Sequence, residues 1–302
     1  MTDLVKKRKS IEVGSFESWL THGKGSYHFE NCSWLRSLLD RLLRCAGLRA
    51  RGERNALEIQ VKSISFEFED LPAAFDGFRI LHLSDLHADG MAGLAESVCA
   101  AIEGLEYDIC VLTGDYRFEI YGPYHAVQHA MARIVDAIDA PCGTLGILGN
   151  HDFAEAGAML EEMGVTMLVN GSHAVRRGGD SLWFVGVDDP HYYGCDDLPG
   201  ALAGVPDDAF RILLVHSPEI YEEAERMGCR LYLCGHTHAG QICVPLLGPV
   251  MINASCPRRY TSGVWQFNDM RGFTSAGVGN SMVPVRFFCN PEIGLIELKR
   301  ST

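Results

Sequence analysis

Two histidines, His236 and His238, stand two residues apart in a short loop, and a pair of this type can bind a metal ion. The apolar run before them predicts a strand, and residues i and i+2 of an extended segment point to the same side. Gly235 and Gly240 bracket the loop and let its backbone pass close to a crowded, charged site. A single pair is weak evidence, so a metal site requires ligands from elsewhere in the chain.

Further residues of metal-ligand type follow the ends of other predicted strands. Strands and helices alternate along most of the chain, which predicts an α/β layered domain. Such domains place their chemistry at the carboxyl ends of the core strands. The candidate ligands are two carboxylates, one amide and four imidazoles, namely Asp85, His87, Asp115, Asn150, His216, His236 and His238.

The composition of this ligand set indicates which metals it would hold. The chain has 11 cysteines, yet no thiolate joins the set, which excludes a cysteine-based structural zinc site. Seven ligands are too many for one open tetrahedral ion, and they suit two divalent ions that share a bridging carboxylate. Mixed imidazole and carboxylate ligands favour Mn, Fe, Zn or Ni over Mg or Ca. We therefore predict a binuclear site and leave the identity of the metals open.

In their order, these blocks resemble those of the calcineurin-like metallophosphoesterases. The resemblance covers residues 75–242 and weakens toward the C-terminus. It implies an α/β fold, a four-layer α/β/β/α sandwich of two mixed sheets, and a metal-dependent hydrolase of phosphoric esters. The blocks that carry it are Asp85-x-His87, Gly114-Asp115, Gly149-Asn150-His151-Asp152, His216 and Gly235-His236-x-His238.

The resemblance also implies a role for each matching residue. Asp115 would bridge the two ions, and His151 matches the catalytic histidine of the family, which is not a ligand. A metal-activated hydroxide would attack phosphorus while His151 protonates the leaving oxygen as general acid. The first ion would be bound by Asp85, His87 and His238, and the second by Asn150, His216 and His236.

One position departs from the family pattern, whose second block usually reads G-D-x-x-D. Phe118 stands where the last carboxylate, which orients the catalytic histidine, is expected. Glu119 and Asp152 are the candidates to replace that carboxylate. Asp152 is interpreted either as a hydrogen-bond partner of a histidine or as the cap of the following helix. We favour the first role and place Asp152 with His151 in the catalytic group.

Three residues are candidates for contact with the substrate. Arg117 is either a phosphate clamp, since a guanidinium fork matches phosphate oxygens, or an ordinary surface residue. Arg258 and Tyr260 precede Gly263 in a late loop, and late loops of this family approach the substrate. The alternative for these two residues is an ordinary turn.

Three short segments resemble one bacterial branch of the family more closely. They are Leu168-Val-Asn170, Val185-Gly-Val-Asp-Asp189 and His236-Thr-His-Ala-Gly-Gln241. This branch includes phosphodiesterases and enzymes similar to the UDP-2,3-diacylglucosamine pyrophosphatases of lipid A synthesis. The resemblance implies hydrolysis of a phosphodiester or pyrophosphate bond in a phosphorylated small molecule or a lipid-linked substrate. The alternatives are a phosphomonoesterase, including a phosphoprotein phosphatase, and a non-catalytic scaffold of the same fold.

The charge of the chain is divided unevenly. The 302 residues carry a net charge of −13, which argues against nucleic-acid binding through the whole surface. Residues 1–55 have a net charge of +5 and are predicted to form a basic arm, poorly ordered over 1–30, before a domain at 56–302. The amphipathic helix predicted at 34–46 either docks on the domain or a second subunit, or lies on a membrane surface.

The sequence pattern favours a cytoplasmic protein, peripheral to the inner face of the membrane if the helix binds lipid. The cysteines form no C-x-x-C pair, which favours free thiols in a reducing compartment. No apolar signal-peptide core follows the basic N-terminus. No window approaches the roughly 18 consecutive apolar residues that a membrane span requires.

Overall fold

A computed structural model describes residues 3–12, 33–119 and 125–301 of the chain. Its strands, in chain order, are β1 (Gln60–Phe68), β2 (Phe78–Leu83), β3 (Ile109–Leu112), β4 (Thr144–Gly146), β5 (Thr166–Met167), β6 (Gly171–Arg177), β7 (Asp180–Gly186), β8 (Phe210–Leu214), β9 (Leu231–Cys234), β10 (Cys243–Val244), β11 (Gly248–Pro249), β12 (Gly263–Phe267), β13 (Met270–Thr274) and β14 (Glu292–Arg300). Within the described residues they form two six-stranded sheets, in the orders β1-β14-β2-β3-β4-β5 and β12-β13-β9-β8-β7-β6, and a hairpin of β10 and β11.

The two large sheets are mixed and enclose an apolar core between them. Strands β2 to β5 are parallel and β14 is antiparallel to β2, while β7, β8, β9 and β13 are parallel in the other sheet. Alternate residues of a strand point to opposite faces, so each sheet contributes one apolar side to the core. Phe66, Ile80 and Val111 meet Phe184 and Ile212 there.

The α-helices of the described residues are α1 (Asp3–Glu12), α2 (Ser33–Cys45), α3 (Arg49–Asn55), α4 (Leu94–Ile102), α5 (His125–Asp136), α6 (Ala154–Glu162), α7 (Leu198–Ala201) and α8 (Tyr221–Arg226). Helices α4 to α8 cover the outer faces of the two sheets. Val98, Met131 and Leu160 of α4, α5 and α6 belong to the cluster outside the first sheet. Ala201 and Ala224 of α7 and α8 belong to the cluster outside the second. The four-layer α/β/β/α sandwich of two mixed sheets is confirmed.

Parallel strands place the candidate ligands at a common edge. Strands β2, β3 and β4 are parallel neighbours, so their carboxyl ends lie side by side, and β8 and β9 are related in the same way. The loops that follow these five strands carry all seven candidate ligands. The chemistry is therefore assembled from loops that a rigid double sheet holds in place.

Two local predictions are wrong. The alternation of apolar residues over 57–68 changes phase near Ser63 and predicts strand segments with a slip or bulge there, but β1 pairs with β14 in one unbroken register. The phase change arises because Leu57 and Ile59, which precede the strand, pack on the outer cluster. Part of the region predicted to be poorly ordered, Asp3–Glu12, is helix α1, and the rest of that prediction, over 13–30, lies outside the described residues.

Helix α2 agrees with the amphipathic helix predicted over 34–46. Leu43 packs with Val283 and Val285, and Leu39 joins this cluster, so the helix docks on the domain through one apolar stripe. The division of the chain near residue 55 stays a prediction. Among the helices within the described ranges, none has both the length and the apolar character needed to cross a bilayer.

Candidate metal centre and active site

The first group of candidate ligands joins the loops after β2 and β9. Asp85, His87 and His238 are buried, and one ligand atom from each lies within 4.8 Å of the others. His87 Nε2 is 3.3 Å from His238 Nε2, which is 3.6 Å from Asp85 Oδ1. These three residues are the ones that the sequence assigns to the first ion, and the structure brings them together.

The second group joins the loops after β3, β4, β8 and β9. His216 Nε2 lies 3.3 Å from Asp115 Oδ2. Asn150 Oδ1 lies 2.9 Å from both His216 Nε2 and His236 Nδ1. Asp115 Oδ2 is also 3.7 Å from His87 Nε2 of the first group. A single oxygen of Asp115 therefore lies between the two groups, which is the position expected of a ligand that bridges two ions.

Backbone carbonyls orient two of the histidines. His87 Nδ1 donates to the carbonyl of Arg117 at 2.7 Å, and His216 Nδ1 donates to the carbonyl of Thr113 at 2.8 Å. Each bond fixes the ring and leaves Nε2 facing the other ligands, as is usual for metal-binding histidines. Both carbonyls belong to the loop region after β3, so this one segment orients ligands of both groups.

The protonation states of the site suit a cation. Burial lowers the pKa of His87 to about 3 and the pKa of His236 and His238 well below their ordinary value, which leaves three neutral imidazoles. Burial would also lower the pKa of His216, but Asp115 beside it raises that pKa to about 10. His216 is therefore protonated and paired with Asp115, and a divalent cation bound there would displace that proton. The residues present fit divalent metal ions.

The backbone at the site is held in an unfavourable conformation. Five ligands adopt positive φ angles: 50° at Asp85, 39° at His87, 58° at Asp115, 70° at His236 and 48° at His238. Non-glycine residues rarely occupy this left-handed region, which costs about 1–2 kcal/mol per residue. Strain of this kind is kept where the surrounding fold enforces it, and it is concentrated here at the ligands.

Glycines next to the ligands permit the close packing. A Cβ on Gly235 would collide with the side chains of Ser84 and Asp85, and a Cβ on Gly149 would collide with Asp115. Gly149 and Gly235 precede Asn150 and His236 directly, so each glycine lets one ligand loop press against a carboxylate of another loop.

The backbone carbonyl of Phe118 takes the place of the missing carboxylate. His151 Nδ1 donates to this carbonyl at 2.8 Å, and the ring lies beside His87, 4.8 Å between centroids. Glu119 forms an ion pair with Arg36 of α2 instead. The prediction that Glu119 or Asp152 orients His151 is therefore wrong, because the chain itself passes close enough to supply an oxygen acceptor.

Asp152 organises the loops through backbone amides. Its Oδ2 accepts from the amides of Asp115 at 2.7 Å and Gly149 at 2.8 Å, and its Oδ1 accepts from Tyr116 at 2.9 Å. The helix-cap alternative is wrong, since the N-cap residue of α6 is Phe153 and the amide of Ala154, the first residue of the helix, donates to Glu12 Oε1 at 2.9 Å. The hydrogen bonds of Asp152 fix the loop of Asp115 to the loop of Asn150, which corrects the prediction that its partner is a histidine.

Of the three candidate substrate residues, the structure places only Arg258 on the surface. Tyr260 is 1% exposed and packs against Tyr221 and Trp265 in the core behind the second sheet, so the prediction that it contacts substrate is wrong. Arg117 is buried with its guanidinium 5.0 Å from the ring centroid of Phe153, which excludes the surface alternative. A phosphate contact from Arg117 or Arg258 stays a prediction.

Three residues near the site were not singled out by their sequence pattern. Arg286 is fully buried, and its guanidinium donates to the carbonyl of His238 at 3.2 Å. His191, which resembles a loop or surface residue in sequence, is 3% exposed, and its ring centroid lies 4.2 Å from that of His236. Arg8 of α1 is the third. No motif marks any of them, because their contacts exist only after distant segments have packed together.

Arg8 connects the N-terminal helix to the loop that carries Asn150 and His151. Its guanidinium forms an ion pair with Asp188 and donates to the carbonyls of Gly149, at 2.9 Å, and Asp152. Arg8 is 1% exposed. The buried guanidinium of Arg8 therefore pairs with a buried carboxylate and also binds the backbone of the loop that carries Asn150 and His151.

Replacement of Arg8 by alanine is expected to lower the free energy of unfolding by about 3–5 kcal/mol, because Asp188 is left buried without its cation. Denaturant titration measures the change. Lys6→Ala, on the exposed side of the same helix, is the matched control and is expected to have no effect. An unfolding midpoint for Arg8→Ala equal to that of Lys6→Ala would show that α1 does not hold the loop.

A cavity opens over the candidate ligands. Asp115, Asn150, His151, His236 and His238 form its polar floor. Its other wall is largely apolar and comes from α2 and from segments after β9, namely Leu39, Ile242, Val250, Met251, Met282 and Val283. The site can therefore receive a ligand that has both a charged and an apolar part.

Comparison with known proteins identifies the family. The family of calcineurin-like phosphoesterases matches residues 78–240, which includes every candidate metal ligand. The chain is 32% identical over 237 residues to an uncharacterized metallophosphoesterase, YkuE, of Bacillus subtilis, covering 76% of this chain and 82% of that protein. It is 31% identical over 231 residues to the phosphodiesterase YaeI of Escherichia coli, covering 73% and 82%. The chain belongs to the calcineurin-like phosphoesterases, and it is a hydrolase that acts on phosphoester bonds.

More distant similarities extend to other organisms. A transmembrane protein with a metallophosphoesterase domain from Danio rerio is 27% identical over 262 residues, covering 80% of this chain and 58% of that protein. Among solved structures, the calcineurin-like phosphoesterase YfkN of Bacillus subtilis aligns with 67% of this chain and 82% of its own, at 14% identity and a TM-score of 0.42.

Proposed function

We propose that this protein hydrolyses phosphodiester or pyrophosphate bonds at a binuclear metal centre. The observation that carries the proposal is the position of Asp115 Oδ2, 3.7 Å from His87 Nε2 and 3.3 Å from His216 Nε2. One carboxylate shared by two ligand groups is what a pair of ions requires. Asp85, His87 and His238 would hold one ion, and Asn150, His216 and His236 the other, with Mn, Fe, Zn or Ni as the candidates.

The protein's own residues then have separate tasks in the reaction. Bound ions would supply an activated water and would neutralise charge on the phosphoryl oxygens. His151 lines the cavity with Nδ1 bonded to the carbonyl of Phe118, so Nε2 is its free nitrogen for proton transfer. A protonated His151 gives that proton to the departing oxygen. Asp152 keeps the loops of Asp115 and His151 in register through its three amide contacts.

A lipid-linked substrate, such as a precursor similar to UDP-diacylglucosamine, is the finer part of the proposal. Support comes from the apolar wall of the cavity, where Ile242, Val250 and Met251 face the histidine floor. A nucleotide pyrophosphate carrying acyl chains has a charged centre and apolar ends, which matches these two walls. The name of the Escherichia coli relative, a phosphodiesterase, supports the choice of a diester over a monoester.

Model substrates distinguish the diesterase from a phosphomonoesterase. With manganese added to chelator-treated protein, we expect bis(p-nitrophenyl) phosphate to be hydrolysed several-fold faster than p-nitrophenyl phosphate. A cavity with an apolar wall beside the metals accepts the second ester group of the diester, which a monoester lacks. Faster hydrolysis of the monoester would support the phosphomonoesterase alternative. If neither substrate is hydrolysed with Mn, Fe, Zn or Ni, the result would support the non-catalytic scaffold.

A further inference from the structure

Helix α2 carries a second apolar stripe that faces away from the domain. Trp34, Leu38 and Leu42 recur at intervals of four residues and are 67%, 47% and 57% exposed. Leu39 and Leu43, one position further along, make the contact with the body of the protein. One apolar stripe is enough to pack a helix against a domain, so the exposed second stripe is not explained by packing.

A second element beside the cavity also presents apolar side chains to solvent. Leu246 and Leu247, at the turn between β10 and β11, are 106% and 79% exposed. Val250 and Met251, just after this hairpin, are 65% and 47% exposed. Scattered single apolar residues are normal on a surface, whereas four exposed ones within six positions, in the hairpin turn and directly after the hairpin, mark an interaction site.

The two elements border one opening. Leu39 of α2 and Val250 and Met251 beside the hairpin all line the cavity over the candidate metal ligands. Ile242, directly before the hairpin, pairs with Phe287 and joins the cluster on which α2 is docked. The two elements that carry the exposed apolar residues therefore both border the cavity over the candidate metal ligands.

The positive charge of α2 and α3 indicates which kind of partner this surface binds. Residues 33–55 contain six arginines and two acidic residues, so they carry a net charge of +4 in a protein whose net charge is −13. Arg41 and Arg44 are exposed on the same helix as the apolar stripe. A symmetric contact between two copies would bring this positive segment against itself. Apolar side chains that project among arginines suit the surface of an anionic lipid bilayer.

We propose that α2 and the β10–β11 hairpin dock the protein on an anionic lipid bilayer with the mouth of the cavity held at the membrane surface. The apolar residues enter the boundary between headgroups and acyl chains, and the arginines contact anionic headgroups. An amphiphilic substrate then reaches the metal centre without leaving the membrane. That last step rests on the proposed function, whereas docking itself does not.

Sedimentation with lipid vesicles tests the docking. The full chain is expected to bind vesicles of phosphatidylcholine mixed with phosphatidylglycerol, and to bind vesicles of phosphatidylcholine alone more weakly. High salt is expected to weaken binding to the anionic vesicles, because it screens the arginines from the headgroups. Leu246→Ser/Leu247→Ser and Leu38→Ser/Leu42→Ser are each expected to weaken binding by about tenfold or more, since each removes two inserted apolar side chains. Arg41→Gln is expected to weaken binding to the anionic vesicles only.

Val264→Ser is the matched control, because Val264 is 58% exposed on strand β12, at the edge of the second sheet. It is expected to bind vesicles as the unchanged chain does. All variants are expected to hydrolyse soluble bis(p-nitrophenyl) phosphate at the unchanged rate, so a failure of docking is separable from a failure of catalysis. Vesicle binding that survives both double substitutions, or self-association that they abolish in the absence of lipid, would overturn the proposal.

Discussion

Asp115→Asn is expected to reduce diester hydrolysis on the order of a thousandfold, because several kcal/mol of transition-state stabilisation by metal ions is lost. Asp115 Oδ2 is the atom between the two ligand groups, 3.7 Å from His87 and 3.3 Å from His216. An amide oxygen carries no full charge and is a poor bridge between cations. Steady-state hydrolysis of bis(p-nitrophenyl) phosphate at saturating manganese measures the effect.

Asp136→Asn, on the exposed side of α5, is the matched control for this substitution and is expected to leave the rate unchanged. Circular dichroism of both variants separates loss of the metal bridge from loss of the fold. If Asp115→Asn stays folded and keeps more than a small fraction of the rate, Asp115 is not the bridge.

His151→Ala is expected to keep its metals and to lose about 10²- to 10⁴-fold in turnover, which is the usual contribution of a general acid. His151 is buried at the cavity floor, and its Nδ1 bond to the carbonyl of Phe118 holds the ring in place. A general acid matters most when the leaving oxygen is a strong base. The loss should therefore be large for an alkyl leaving group and small for 4-nitrophenolate.

His129→Ala, an exposed histidine on α5, is the control and should not alter either rate. The comparison of the two leaving groups distinguishes proton donation from a purely structural role of His151. Equal losses for both leaving groups would mean that His151 positions the substrate, and an unimpaired rate would remove it from the mechanism.

The candidate ligands and the edge of the sheet where they gather could be predicted because both depend on local sequence. Asp85 follows β2 and His236 follows β9, and parallel strands bring such ends together irrespective of what lies between them. The donor atoms of the candidate ligands, which are oxygen and nitrogen without sulfur, could also be predicted from the sequence. The positive φ angles of Asp85 and His236 could not be predicted, since non-glycine residues adopt them only under the constraint of the finished fold.

The partners that orient the site were not predictable for a different reason. Phe118 acts through its carbonyl, which its side-chain type does not reveal. Arg8 meets Asp188 across a separation of 180 residues, and the hydrogen bond needs the N-terminal helix to pack on the catalytic loop. The prediction for Tyr260 was wrong because the expected turn is a 3₁₀ segment, Arg258–Tyr260, that buries the Tyr260 side chain beside Trp265. The roles of Phe118, Arg8 and Tyr260 all depend on how the folded chain packs, which the local sequence does not reveal.

The most direct test of the binuclear centre is the number of metal ions bound per chain. Metal-free protein is reconstituted separately with manganese and zinc, freed of excess ion, and analysed by inductively coupled plasma mass spectrometry together with its rate of diester hydrolysis. Two ions per chain are expected, with hydrolysis that disappears on chelation and returns as the ions are restored. One ion per chain at full activity, or hydrolysis that persists without metal, would contradict the binuclear mechanism.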